Sequence, residues 1–128
     1  MRAAIFSTAA LAFVVMTGSA YAAAPAMPTG VMVMKGMLVD AKNMTLYTYD
    51  KDTEANKSTC VAMCLMNWPV LKAAATDKDM GDWKVITRDD GSKQWSYKGK
   101  PLYYFAMDAA AGDAKGDGRG MVWHVATP

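Results

Sequence analysis

Two cysteines and a single histidine are the side chains of this 128-residue sequence best suited to covalent or metal chemistry. Cys60 and Cys64 stand four apart, a spacing that puts both sulfurs on one face of a helix. In an oxidising compartment the first expectation for such a pair is a disulfide. Closing so short a loop restricts the unfolded chain by about 2 kcal/mol, a staple and not a scaffold. A redox-active pair needs a neighbouring positive charge or histidine to lower a thiol pKa, and the residues flanking these cysteines bring neither. A third reading is a soft-metal site. The chain has 12 methionines; Met32, Met34 and Met37 crowd one predicted strand, and Met63 and Met66 flank Cys64. Thioether and thiolate ligands select Cu(I), so Cys60, Cys64, Met63 and His124 make a candidate copper set. The competing account is packing: methionine fills irregular cores, Met32 and Met34 alternate as one strand face would, and a lone histidine serves as a hydrogen-bonded structural residue.

Other constellations are weaker. Asp50 to Asn56 offers oxygen ligands at alternate positions, as calcium loops do, but lacks the central glycine and the bidentate glutamate. Asp113 to Gly118 has the glycine and puts Lys115 where a ligand belongs. One histidine among many serines and aspartates fixes no catalytic triad. The glycines from Gly112 to Gly120 do not follow a strand and open a helix, so they form no phosphate cradle. The reading is therefore non-enzymatic, with no cofactor unless copper is bound.

An internal repeat carries more information. Leu46-Tyr47-Thr48-Tyr49 and Leu102-Tyr103-Tyr104-Phe105 share a pattern, and the same offset carries Asp52 onto Asp108. Each copy reads Tyr-x-aromatic-x-x-Asp. Alternation along a strand places residues i and i+2 on one side, so Tyr47 with Tyr49, and Tyr103 with Phe105, form either two core faces or a pair of ligand-facing aromatic surfaces. Each aspartate can tie the exit turn to its own backbone.

These residues need elements to position them. Arg2, the uncharged run Ala3 to Met16, and Ala20-Tyr21-Ala22 predict an export signal over residues 1–22 of the Sec type, cleaved after Ala22. Its apolar run falls short of the roughly 20 residues that span hydrocarbon, so no transmembrane span is expected after cleavage. A lipid anchor would need a cysteine at the cut, and the cysteines lie elsewhere. Residues 23–30 read as a flexible lead-in, and 31–128 as a single domain. Val31 to Asp40, a turn at Asp40 to Asn43, and Met44 to Tyr49 predict a first hairpin. Thr59 caps a short helix from Cys60 to Asn67, apolar all round and hence buried, which Pro69 stops. Further strands are predicted at Trp83 to Thr87, Gln94 to Tyr97, Pro101 to Phe105 and Met121 to Val125, separated by Asp89-Asp90-Gly91-Ser92, Lys98-Gly99-Lys100 and a long glycine-rich loop. Connections this short disfavour a parallel sheet, which needs crossovers of about a dozen residues or more. The fold class is mainly β: a small antiparallel domain, sandwich or barrel-like, of two related hairpin halves with one short buried helix.

Through Thr45 to Asp52, the cysteine pair leading into Asn67-Trp68-Pro69, the Arg88 to Ser92 turn with Trp95, Gly99 to Tyr103, and Gly116-Asp117-Gly118 with Trp123-His124, the sequence resembles the secreted-repeat family of predicted bacterial lipoproteins. The resemblance runs from about Met37 to Val125. It implies an exported protein of unknown biochemical function and brings no catalytic residues with it.

Composition agrees. With 52% hydrophobic and 20% charged residues the chain is not disordered, and a net charge of +2 argues against nucleic acid as a partner. The expectation is a periplasmic or secreted binding or envelope-associated module for a small ligand or an envelope protein. The alternative is a periplasmic redox or copper-handling protein.

Overall fold

Two short apolar segments joined by a Lys-Gly pair have no length for a crossover, so they pair antiparallel. In the computed structural model, which describes residues 26–128, β1 (Val31–Met34) and β2 (Met37–Asp40) form such a hairpin. The export signal expected at 1–22 lies outside the described residues. Lys35 and Gly36 both adopt positive φ, 50° and 76°, as the tight turn that matches strand twist requires. The single strand expected over Val31 to Asp40 is therefore broken at its middle. Met32 falls on the exposed side and Val31 takes the core position.

The other elements are β3 (Tyr47–Tyr49), a one-turn helix α1 (Cys64–Asn67), β4 (Trp83–Thr87), β5 (Lys93–Tyr97), β6 (Lys100–Pro101) and β7 (Trp123–Val125). A single 3-10 turn, Arg119–Met121, precedes β7. The strands make three antiparallel sheets, β1-β2, β3-β7 and β4-β5-β6. Among the described residues no barrel closes; isolated bridges stitch the sheets together at Val39 with Thr45, Tyr47 with Tyr103, Val70 with Tyr103, and Lys72 with Gln94. The antiparallel β class expected from the sequence is the one observed. The strand expected over Pro101 to Phe105 shortens to β6 because Tyr103 instead bridges to two other segments.

The two halves exchange their closing segments. Leu71 donates its N–H to Leu102 O (2.9 Å) and accepts from Trp95 N–H (2.9 Å). Ala126 does the same in reverse, donating to Leu46 O (2.8 Å) and accepting from Leu38 N–H (2.9 Å). Each half thus satisfies the backbone of the other, and neither has a complete set of partners alone. Two apolar clusters result. One gathers Leu38, Leu46, Leu71, Trp83, Trp95, Leu102 and Ala126; the second gathers Tyr47, Cys60, Trp68, Tyr103, Phe105 and Trp123. Of the lead-in, Met27 packs against the first cluster and Pro28 is buried.

The helix is a correction. It spans one turn, buries none of its residues, and has no side-chain cap; Thr59 turns its hydroxyl to Asp52 instead. Met63 and Met66 are 78% and 73% exposed. A single turn is too short to bury a whole face, so Cys64 and Leu65 are only half-buried against the second cluster, and Ala62 at φ 52° breaks any extension toward Cys60. The segment is anchored from its flanks, by buried Cys60 before it and buried Trp68 after it.

Candidate functional site

The repeated motif turns out to be an interlock. Tyr47 donates its hydroxyl to Asp108 Oδ2 at 2.5 Å, and Tyr103 donates to Asp52 Oδ2 at 2.6 Å. The tyrosine of each copy therefore finds the aspartate of the other. Both tyrosines are 0% exposed, and both carboxylates are buried. Between them the main chains exchange a pair of hydrogen bonds, Tyr47 N–H to Tyr103 O (2.8 Å) and Tyr103 N–H to Tyr47 O (3.0 Å). The second carboxylate oxygen repeats the pattern: Asp52 Oδ1 accepts Thr59 N–H (2.6 Å), and Asp108 Oδ1 accepts Lys115 N–H (2.9 Å). A buried carboxylate survives only when its lone pairs are filled, and these are. Burial first, then the carboxylate acceptor, pushes both phenols above the ordinary tyrosine range, so each remains a protonated donor.

The second aromatic of each motif also crosses over. Tyr49 stacks on Trp123 with ring centres 4.2 Å apart, and Phe105 stacks on Trp68 at 4.5 Å. Trp68 and Trp123 stack on each other at 3.7 Å and 4°. Edge-on, Tyr47 meets Trp68 (5.4 Å) and Tyr103 meets Trp123 (5.2 Å). Each tryptophan sits three residues before the exchanged position, Leu71 or Ala126, so the two are repeat-related. A column Tyr49, Trp123, Trp68, Phe105 runs through the second cluster, and the guanidinium of Arg119 caps it 5.0 Å above the Phe105 ring.

Behind this common frame the halves differ. Tyr103 shares its hydroxyl with Ser58 Oγ (2.5 Å), which accepts from Arg88 Nη1 (2.6 Å). Arg88 is buried, and also donates to Gln94 Oε1 (2.7 Å) and to the Cys60 carbonyl (2.6 Å). Two hydroxyls thus separate a buried cation from the Asp52 carboxylate. Cys60 and Cys64 form a disulfide across a Cα separation of 5.3 Å, within the usual range. In the other half, Gly116 N–H donates to the Tyr47 hydroxyl (3.2 Å), and a Cβ on Gly116 would lie 2.8 Å from Trp68 Cη2 and 3.0 Å from Phe105 Cγ.

The remaining candidates scatter. With both sulfurs in the disulfide, the copper set Cys60, Cys64, Met63 and His124 has no thiolate to offer; Met63 faces solvent, and His124 Nε2 pairs with Asp50 Oδ2 at 2.7 Å. Among the described residues no three His, Cys, Asp or Glu side chains gather to hold a metal ion. Sequence reasoning missed Trp68, Trp123, Arg88 and Arg119. The tryptophans had a usable signal, since each opens the segment that closes its repeat; the arginines had none.

At the capped end of the column lies an open cleft of about 300 Å³. Its wall includes Asn67, Trp68, Phe105, Met107, Arg119 and Trp123. Met107, 61% exposed, stands at its side. Arg119 is the one ionisable group among the described residues lining it. No described helix is long and apolar enough to cross a membrane.

Two segments of the chain, residues 31–72 and 84–127, match the family described as a secreted repeat of unknown function. These are the two halves that interlock. No curated protein and no solved structure matches the chain.

Proposed function

Since the chain belongs to the family of secreted repeats of unknown function, we propose that it is an exported, non-enzymatic binding module of the periplasm or cell exterior. Its ligand is a small molecule, taken into the cleft beside Trp68, Phe105 and Arg119. The cleft is the observation that carries this reading. Ligand sites are concave, mostly apolar, and hold a few polar groups on a rigid frame; this one has aromatic walls, one guanidinium and one carboxamide. The motif residues Tyr47, Asp52, Tyr103 and Asp108 support it by exclusion, because their polar atoms bond one another inside the core. Among the described residues lining the cleft there is no carboxylate, histidine, cysteine, tyrosine or lysine to act as a general acid or base. The disulfide suits an oxidising compartment, and the leader expected at residues 1–22 supplies the route there.

Two measurements test the proposal. Full-length chain produced in a bacterium with its own leader yields a periplasmic product beginning at Ala23, read by intact mass. A chemically mixed fragment set, screened by two-dimensional NMR on that product, shifts signals of Asn67, Met107 and Gly120 together. Uncleaved protein in the cytosol sinks the export reading, and shifts that avoid these residues for every fragment sink the cleft.

A further inference from the structure

We infer that the cleft selects planar aromatic anions, one or two rings bearing a carboxylate, with Arg119 holding the charge; this rests on the cleft being the ligand site. The argument starts from what Arg119 leaves unused. A guanidinium has five N–H donors spread in its own plane. Its central carbon stands 5.0 Å over the centre of the Phe105 ring, and both residues line the cleft. Among the described residues only the Nε–H is engaged, with the Lys115 carbonyl at 3.2 Å. No described carboxylate lies within ion-pair distance of it. Asp117, two residues earlier, accepts the Val125 N–H on its Oδ1 (3.2 Å).

The rest of the wall fits the rest of such a ligand. Among the described residues no acidic side chain lines the cleft, so no carboxylate there offsets the arginine. The tryptophan faces are spent on each other and on the rings at either side, leaving ring edges, which carry the positive end of the aromatic quadrupole and prefer the face of another ring. Met107 contributes an adaptable apolar wall. The Asn67 side chain, unbonded among the described residues, offers a second polar contact. A volume of about 300 Å³ stands at the small end of ligand sites, the size for one or two rings.

The test uses the whole mature chain and three probes of one shape: indole-3-acetate, its neutral amide, and tryptamine. NMR titration reads the Met107, Gly120 and Trp123 signals. The expected order is carboxylate tightest, amide about tenfold weaker, amine weakest, as charge-assisted pairing to arginine dictates. Added salt weakens the carboxylate alone. Arg119→Met removes the preference, Arg119→Lys keeps part of it, and an unchanged near-ultraviolet dichroism shows that the aromatic column is intact in both. Equal binding of carboxylate and amide at the cleft, or an Arg119→Met protein that keeps the preference, overturns the inference and leaves the cleft reading standing. If none of the three moves these signals, aromatic anions are refused and the inference falls, while the mixed fragment set above still decides the cleft.

Discussion

The two halves hold one another with the same parts and surround those parts differently. Tyr47 with Asp108 and Tyr103 with Asp52 are one lock used twice, and each tryptophan makes three aromatic contacts, one of them shared. Past each lock the resemblance stops. The first half continues into a disulfide turn tied to buried Arg88, the second into a glycine-rich loop that ends on Arg119. A repeated motif is easily taken for a repeated binding site, but here repetition marks the joint. Whatever is particular to this protein lies where the halves differ, on loops carried by a rigid scaffold.

Breaking the shared part tests that view most severely. Trp68→Ala and Trp123→Ala each remove a buried indole from the centre of the column, and each is expected to lower stability by about 3–5 kcal/mol in urea denaturation. The two costs should be similar, because both indoles are buried and each makes three aromatic contacts. A large inequality would show that one half carries the joint and the other leans on it.

Alkali attacks the same joint through its protons. Tyr47 and Tyr103 are both held above the ordinary phenol range, by burial first and by hydrogen bonds to Asp108 and Asp52 next. Unfolded chains release these protons as the pH passes about 10. The folded protein keeps them, so above that pH it binds more protons than the unfolded state and loses stability as the pH rises. Below about pH 10 the contribution is complete. Each tyrosine adds a slope of about 1.4 kcal/mol per pH unit, so together they remove about 3 kcal/mol over one unit. Half-buried Tyr104, bonded to Asp40, shifts the same way and adds a smaller share. Tyr47→Phe and Tyr103→Phe should each flatten the curve by one tyrosine's slope; a steepness unchanged in either variant removes that lock from the account.

What was legible in the sequence follows from distance along the chain. The turn at Asp89 to Ser92, the Lys98-Gly99 turn, the strands β4 and β5 and the Cys60–Cys64 bridge are local, and local chemistry dictates them. The motif was legible as a repeat but not as a lock, because Tyr47 and Asp108 are separated by 61 positions and meet only once the closing segments have been exchanged. Burial of Met63 and Met66 was misjudged because apolar composition says inside only when the element is long enough to have an inside. Arg119 sits in a stretch without hydrophobic pattern, where nothing in the residue types announces that a phenylalanine will stand beneath it.

The disulfide sharpens the contrast between the loops. Cys60→Ser with Cys64→Ser is expected to cost about 2 kcal/mol, the entropy of one short closure. The damage should stay local. Hydrogen exchange should quicken over residues 60–67 and hold steady over 116–122, since the second loop is held by Asp108, Gly116 and Trp68 without help from the sulfurs. Faster exchange in both loops would mean that the stapled turn supports the whole column and the halves are less independent in their surroundings than their contacts indicate.

The smallest effect is expected at the histidine of the candidate copper set. His124 reaches Asp50 across the β3-β7 pair, with both side chains about half exposed. Water screens such an exposed hydrogen bond, and holding two side chains in one geometry costs entropy, so it contributes at most about 1 kcal/mol. His124→Gln should therefore move the denaturation midpoint little. Asp50 has a neighbour in Asp52, two positions along, whose carboxylate is buried and fully engaged. Asp52→Asn, which leaves the tyrosine a poorer acceptor inside the core, should cost several times more than the histidine change. Were the order reversed, the exposed pair and not the buried lock would be joining the halves, and the symmetry of the motif would have lost its physical meaning.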